Sequence, residues 1–195
     1  MRGTCGRGYY VIFPDDPYAT HLRLLSQLGG LRGGIKSVLE LGAGMHSTPM
    51  FLNRECYPHL TRLLTVEHNA DWAARVEAAT QDPRRTILVI PEPIETYLST
   101  FNLSEFDLVF VDNSDHCDFR IKTIEYVAAN ATTSLVVLHD FQYEYYQEAS
   151  NGLNNFIVDT GKGMAGIDGH DIYTALLWKG DALTFRGREC RRWIY

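Results

Sequence analysis

The sequence predicts an α/β fold, a doubly wound and mostly parallel sheet that ends in an antiparallel hairpin. Three observations carry that prediction. Short apolar runs rich in β-branched residues alternate with amphipathic stretches from about residue 36 to residue 150. These runs are apolar on both faces, as strands covered by helices on both sides are. The last 45 residues hold two further strand-like runs with no room for a crossover helix, so the two must pair antiparallel.

The elements follow in order. Residues 17–28, PYATHLRLLSQL, place apolar side chains at helical spacing and stop at Gly29 and Gly30. KSVLELG reads as the first core strand, STPMFLNREC as a helix with Ser47 or Thr48 placed to cap it, LLTVEH as a strand, and NADWAARVEAAT as a helix capped by Asn69. TILVI, FDLVFVD and SLVVLHD are the next strands, with PIETYLSTF and FRIKTIEYVAAN as the helices between them. FIVDTG and DIYTALLWKGDALTF make the terminal hairpin. The segment TGKGMAGIDGHD between them lacks the GxxxxGK[ST] spacing and reads as a flexible hairpin loop, not a phosphate loop. No repeat or linker interrupts the pattern. One domain over 1–195 is expected, with 1–33 as an N-terminal helical segment on the substrate side and 36–180 as the ligand-binding core.

Composition narrows the function classes. With 18 Lys and Arg against 24 Asp and Glu the formal charge is -6, so no general positive field exists to hold a nucleic-acid backbone. The basic C-terminal RGRECRRWIY reads as a solvated strand end. No apolar stretch approaches the roughly 20 residues that span a bilayer, and the first residues do not make a signal sequence. Cys5, Cys56, Cys117 and Cys190 form no CxxC pair; four reduced thiols and a cytoplasmic location are expected.

The stretch SVLELGAGMHSTPMF bears most on function. In a doubly wound sheet the ligand lies beyond the carboxyl ends of the strands, beside the first one. Gly42 and Gly44 fall there, permitting a tight turn and close backbone approach. Glu67 ends the second core strand 23 residues after Gly44, near the interval at which an acid accepts hydrogen bonds from a ribose. Ser47 stands where a dinucleotide site has its third glycine, and Glu40, two residues before the first glycine, would repel a pyrophosphate and attract a cationic ligand. S-adenosylmethionine, with its ammonium and sulfonium, suits that charge.

VLELGAGMHST resembles motif I of the class I S-adenosylmethionine-dependent methyltransferases. LLTVEHNADWAARV is similar to their second strand and following helix, and FDLVFVDNSDH and SLVVLHDF to their fourth and fifth strand ends. The resemblance covers about residues 36–180 and is nearest to the small O-methyltransferases. It implies a Rossmann-like methyltransferase fold with S-adenosyl-L-methionine as cofactor. Glu40, Gly42, Gly44 and Ser47 would line the methionine end, Glu67 the ribose, Glu92 the adenine, and Asp112 the edge of the pocket.

Methyl transfer from a sulfonium is an in-line displacement, so positioning supplies much of the catalysis, and the protein must still remove the acceptor's proton. His116 is the first candidate base and His139 the second, each beside an acid at the carboxyl edge; Asp140 assists, or caps the helix that follows. Arg120 reads as a helix-surface arginine. The magnesium-dependent branch of the family would use Asp112 and Asp140, but Phe141 stands where a further oxygen ligand is common, so a metal-free mechanism is expected. The overall expectation is transfer of a methyl group to a small-molecule acceptor, at oxygen, with a homodimer partner or the Gly161–Gly169 loop closing the site. The alternatives are a metal-dependent relative built on Asp112 and Asp140, an NAD enzyme, and a catalytically silent binding protein.

Overall fold

The computed structural model describes residues 2–5, 9–12, 16–31, 34–91, 94–113, 117–132, 134–153, 155–165, 171–179, 184–185 and 188–189. The core strands are β3 (Ser37–Leu41), β4 (Arg62–Glu67), β5 (Arg85–Val89), β6 (Leu108–Val111), β7 (Leu135–His139), β8 (Asn155–Ala165) and β9 (Asp171–Trp178). They form one seven-stranded sheet in the order β5-β4-β3-β6-β7-β9-β8. The pairings from β5 to β7 are parallel, and β9 runs antiparallel to both β7 and β8. The doubly wound sheet with its terminal hairpin is therefore as expected.

The chain moves outward from β3 through β4 to β5, then returns to the other side of β3 as β6. That reversal of strand order sets the crevice at the carboxyl ends of β3 and β6. Successive strand side chains point to opposite faces, and both faces are buried. Val38, Leu63, Phe110 and Val137 pack with α1 (Leu22–Leu28) and α2 (Ser47–Leu52), through Leu25, Leu28 and Phe51. Leu39, Val66, Val109 and Val136 pack with α4 (Glu95–Leu98) and α5 (Cys117–Asn130), through Leu98, Ile124 and Val127. Below the ends of β3 and β4, α3 (Ala70–Ala79) begins at Asn69, whose side chain accepts from the Trp72 N–H as a cap should.

Several expectations are corrected. A short antiparallel pair, β1 (Arg2–Cys5) and β2 (Tyr9–Ile12), precedes the N-terminal helix, where the sequence suggested only helix. α2 is not capped by Ser47 or Thr48: its N-cap is His46, without a side-chain bond, because both hydroxyls serve Glu40. β8 continues to Ala165, so the Gly-rich segment expected as a loop is strand that far, with a register shift between Thr160 and Ala165. A further short pair, β10 (Thr184–Phe185) and β11 (Arg188–Glu189), takes in part of the basic C-terminal stretch. At the outer edge, Leu88 and Val89 of β5 are 38% and 47% exposed, since among the described residues no further strand lies beyond them. Cys56 is disulfide-bonded, which overturns the expectation of four free thiols on which the cytoplasmic reading leaned. Among the described residues, no helix is long and apolar enough to cross a membrane.

Candidate functional site

A cavity of about 840 Å³ opens at the carboxyl edge of the sheet. One end is lined by residues 42–47, Glu67, His68, Asn69 and Trp72; the other by His21, Asp112, Arg120, His139, Asp140 and Tyr143.

The first end is built mainly from backbone. Gly42 has φ 94°, in the left-handed region where a side chain is strained, and a Cβ there would collide with the carbonyl of Asp112. The loops after β3 and β6 thus touch through that missing atom. Glu67 is buried, and its carboxylate accepts from the Ala43 N–H at 3.0 Å and from the His68 and Asn69 N–H groups at 2.8 Å each. It ties the turn after β3 to the end of β4 while still lining the cavity. Trp72 closes the same turn from α3, its indole N–H donating to the Ala43 carbonyl at 2.7 Å.

Glu40 is placed differently from the expectation. It lies fully buried beneath the turn and is not among the cavity residues. Its carboxyl group accepts from Ser47 Oγ at 2.6 Å, Thr65 Oγ1 at 2.7 Å and Thr48 Oγ1 at 2.8 Å. Burial pushes its pKa up to about 7, with those three hydroxyls opposing the rise. The carboxyl therefore organises the turn from behind, and the expected contact between Glu40 and a ligand's amino group is corrected to a scaffold role. Ser47 does face the cavity, with its hydroxyl committed to Glu40.

The second end is an ionic cluster. Arg120, read from the sequence as a surface residue, is buried: its guanidinium binds Asp140 at 2.6 Å and lies 3.4 Å from Asp112. Asp140 adopts φ 60° to meet it, the one described non-glycine residue with positive φ, and it does not cap the next helix, α6 (Glu144–Ala149), whose N-cap is Tyr143. His139 Nδ1 is 3.2 Å from Asp112 and 3.5 Å from Asp140, and its Nε2 meets Thr20 Oγ1 at 3.0 Å. Burial works against a charged imidazole, but the two carboxylates outweigh it and lift His139 to about 10. Burial likewise pushes both acids up, and the charges of His139 and Arg120 outweigh it, holding Asp112 and Asp140 below the usual carboxylate range. Two acids and two cations are thus mutually neutralised.

His21 was missed by the sequence reading. It is 3% exposed, packs edge-on against the His139 ring at 4.9 Å between centroids, and has no hydrogen-bond partner on either ring nitrogen among the described residues. Burial, then the His139 charge, lower it to about 3, so it is neutral. The signal was present: His21, Leu24, Leu25 and Leu28 form one i, i+3, i+4, i+7 stripe, and a histidine on such a stripe is buried. His116 and Glu92 lie outside the described residues.

Asp112 and Asp140 do not fit a magnesium site. Both are already engaged by Arg120, and Phe141, in place of a third oxygen ligand, is buried in the core.

A glycine turn after the first core strand, an acid ending the next, a crevice where strand order reverses and an antiparallel last pair together define the class I S-adenosylmethionine-dependent methyltransferase fold. The chain is similar to spermidine synthase from Thermotoga maritima, at 18% identity and a TM-score of 0.61 over 89% of this chain. It spans 64% of that relative's length. It is also similar to an O-methyltransferase from Bacillus cereus solved in complex with SAH, S-adenosylhomocysteine, at 14% identity and a TM-score of 0.57, covering 87% of this chain and 83% of that one. An rRNA methylase from Streptococcus thermophilus matches at 9% identity and 0.56, covering 85% and 98%. No family model matches the sequence, and no curated protein does.

Proposed function

We propose that the protein is an S-adenosylmethionine-dependent methyltransferase acting on a small, electrically neutral acceptor, with oxygen as the methylated atom. The observation that carries the reading is the continuity of one cavity from the glycine turn and Glu67 to the His139, Asp112, Arg120 and Asp140 cluster. The backbone end suits the cofactor, with Glu67 receiving the ribose hydroxyls on the lone pairs its three N–H donors leave unused. At the acceptor end two acids face two cations, which favours an uncharged hydroxyl over an anion or a polyamine.

The cofactor supplies an electrophilic methyl group. What this chain adds is placement, holding an acceptor oxygen in line with the methyl at about 3 Å. His139 is protonated through neutral pH and pinned at both nitrogens, so it orients and does not accept the proton. That role falls to His116, just before α5. The O-methyltransferase solved with SAH supports the cofactor assignment, and the rRNA methylase shares the fold.

Calorimetry with S-adenosylhomocysteine tests the reading. The wild type is expected to bind, and Glu67→Ala and Gly44→Val to lose binding. Unchanged affinity in both variants would sink the assignment, as would stronger thermal stabilisation by NAD than by S-adenosylhomocysteine.

A further inference from the structure

We infer that His21, Asp112 and His139 form a binding site for one divalent first-row transition ion of the class that takes nitrogen and oxygen ligands together, such as Zn2+ or Fe2+. The three residues bring ligand atoms within 4.8 Å of one another, and all three line the cavity. They come from distant parts of the chain: His21 leads into α1, Asp112 follows β6 and His139 ends β7.

The independent pointer is His21. A buried imidazole with neither nitrogen bonded among the described residues gives up its hydration for nothing in return, and such groups in folded proteins call for a ligand. The second pointer is the support of His139. Its Nε2 lies 3.0 Å from Thr20 Oγ1 and donates to that hydroxyl, while its Nδ1 faces Asp112 Oδ1, 3.2 Å away, across a proton that an incoming ion would displace. Metal-bound histidines are oriented in this way, one nitrogen donating to a fixed acceptor and the other facing the ion. An ion between Nδ1 and Oδ1 takes the place of the hydrogen that otherwise joins them. Two imidazoles and one carboxylate match the three-ligand sets of catalytic zinc and non-haem iron, with remaining positions open to the cavity.

The misfit to magnesium does not count against this set. Magnesium needs several oxygens, and Asp140 is held by Arg120 at 2.6 Å while Phe141 stands where a third would be, whereas two nitrogens and one oxygen suffice here. Arg120 is bonded to Asp140 at 2.6 Å and stands off from Asp112 at 3.4 Å, so the Asp112 carboxylate can turn to an ion without breaking the shorter pair.

The site shares the cavity of the proposed transferase but stands or falls separately from it. The full chain is stripped with chelator, titrated with ZnCl2 by calorimetry and assayed for metal after gel filtration, with S-adenosylhomocysteine affinity measured on the same samples. One zinc per chain is expected in the wild type. Affinity should fall about 100-fold or more in His21→Gln and His21→Leu, since loss of even a supporting residue costs 10–100-fold. Cofactor affinity should stay within about twofold of wild type, as neither variant touches Glu67 or the glycine turn. His21→Leu keeps the apolar packing; if both variants unfold, the visible spectrum of wild-type protein with Co2+ decides, low-coordinate bands supporting the site and the spectrum of the aquo ion overturning it. Wild type that retains no zinc, or variants that bind it equally, also overturn it. Zinc binding without cofactor binding supports the site and removes the methyltransferase reading; the reverse pattern removes the site.

Discussion

The two ends of the cavity solve the same problem, holding polar groups out of water, by different means. At the glycine-turn end the carboxylate of Glu67 is satisfied by backbone N–H groups and, behind the turn, that of Glu40 by hydroxyls. At the other end Asp112 and Asp140 are satisfied by whole charges, Arg120 and His139. Around Glu40 the three hydroxyls favour the charged carboxylate, but burial outweighs them and raises its pKa. Ion pairs fix protonation firmly and leave the cluster vulnerable to losing any one member.

The largest test of that contrast is Arg120→Met. It keeps the apolar stem and leaves two carboxylates facing one cation, so a loss of about 3–5 kcal/mol in urea unfolding is expected; a loss below 1 kcal/mol would mean the cluster is held some other way. At the backbone end, Gly42→Ala forces a side chain into the left-handed region and against the Asp112 carbonyl, at about 2–4 kcal/mol with loss of S-adenosylhomocysteine binding. Glu40→Gln sharpens the comparison through pH. The folded value of Glu40 is raised to about 7 from 4.5, so the folded state binds the extra proton between those values. Its stabilising contribution is complete below pH 4.5 and lost as pH rises through about 7. The variant should melt like wild type at pH 5 and be more stable above pH 8 by roughly 1–3 kcal/mol; parallel melting curves for the two proteins would contradict it. Smallest is Trp72→Phe, which removes one hydrogen bond to Ala43 and should weaken cofactor binding by about 1 kcal/mol.

The same contrast explains what could be read from the sequence. β3 to β7, Asn69 as a cap, the glycine turn and the Glu67 strand end are local patterns, each set by side-chain period or turn chemistry within a few residues. The ionic cluster is not local. Arg120 reaches Asp140 across 20 positions and His139 meets Thr20 across 119, and no spacing rule connects them. Glu40 misled for a related reason: its position before the glycines marks the motif, yet strand alternation turns its side chain under the turn, where Ser47, Thr48 and Thr65 collect around it. By composition alone the Gly-rich run after Thr160 reads as a loop, while pairing with β9 extends it as strand to Ala165.

The absent Cβ of Gly42 has a consequence for how such a site can change. Because the turn after β3 rests directly on the Asp112 backbone, the glycine turn and the loop that carries Asp112 share one contact surface. Neither can be exchanged with that of another protein alone. A graft of either loop has to carry residues 40–48 and 111–113 together, as one heritable unit.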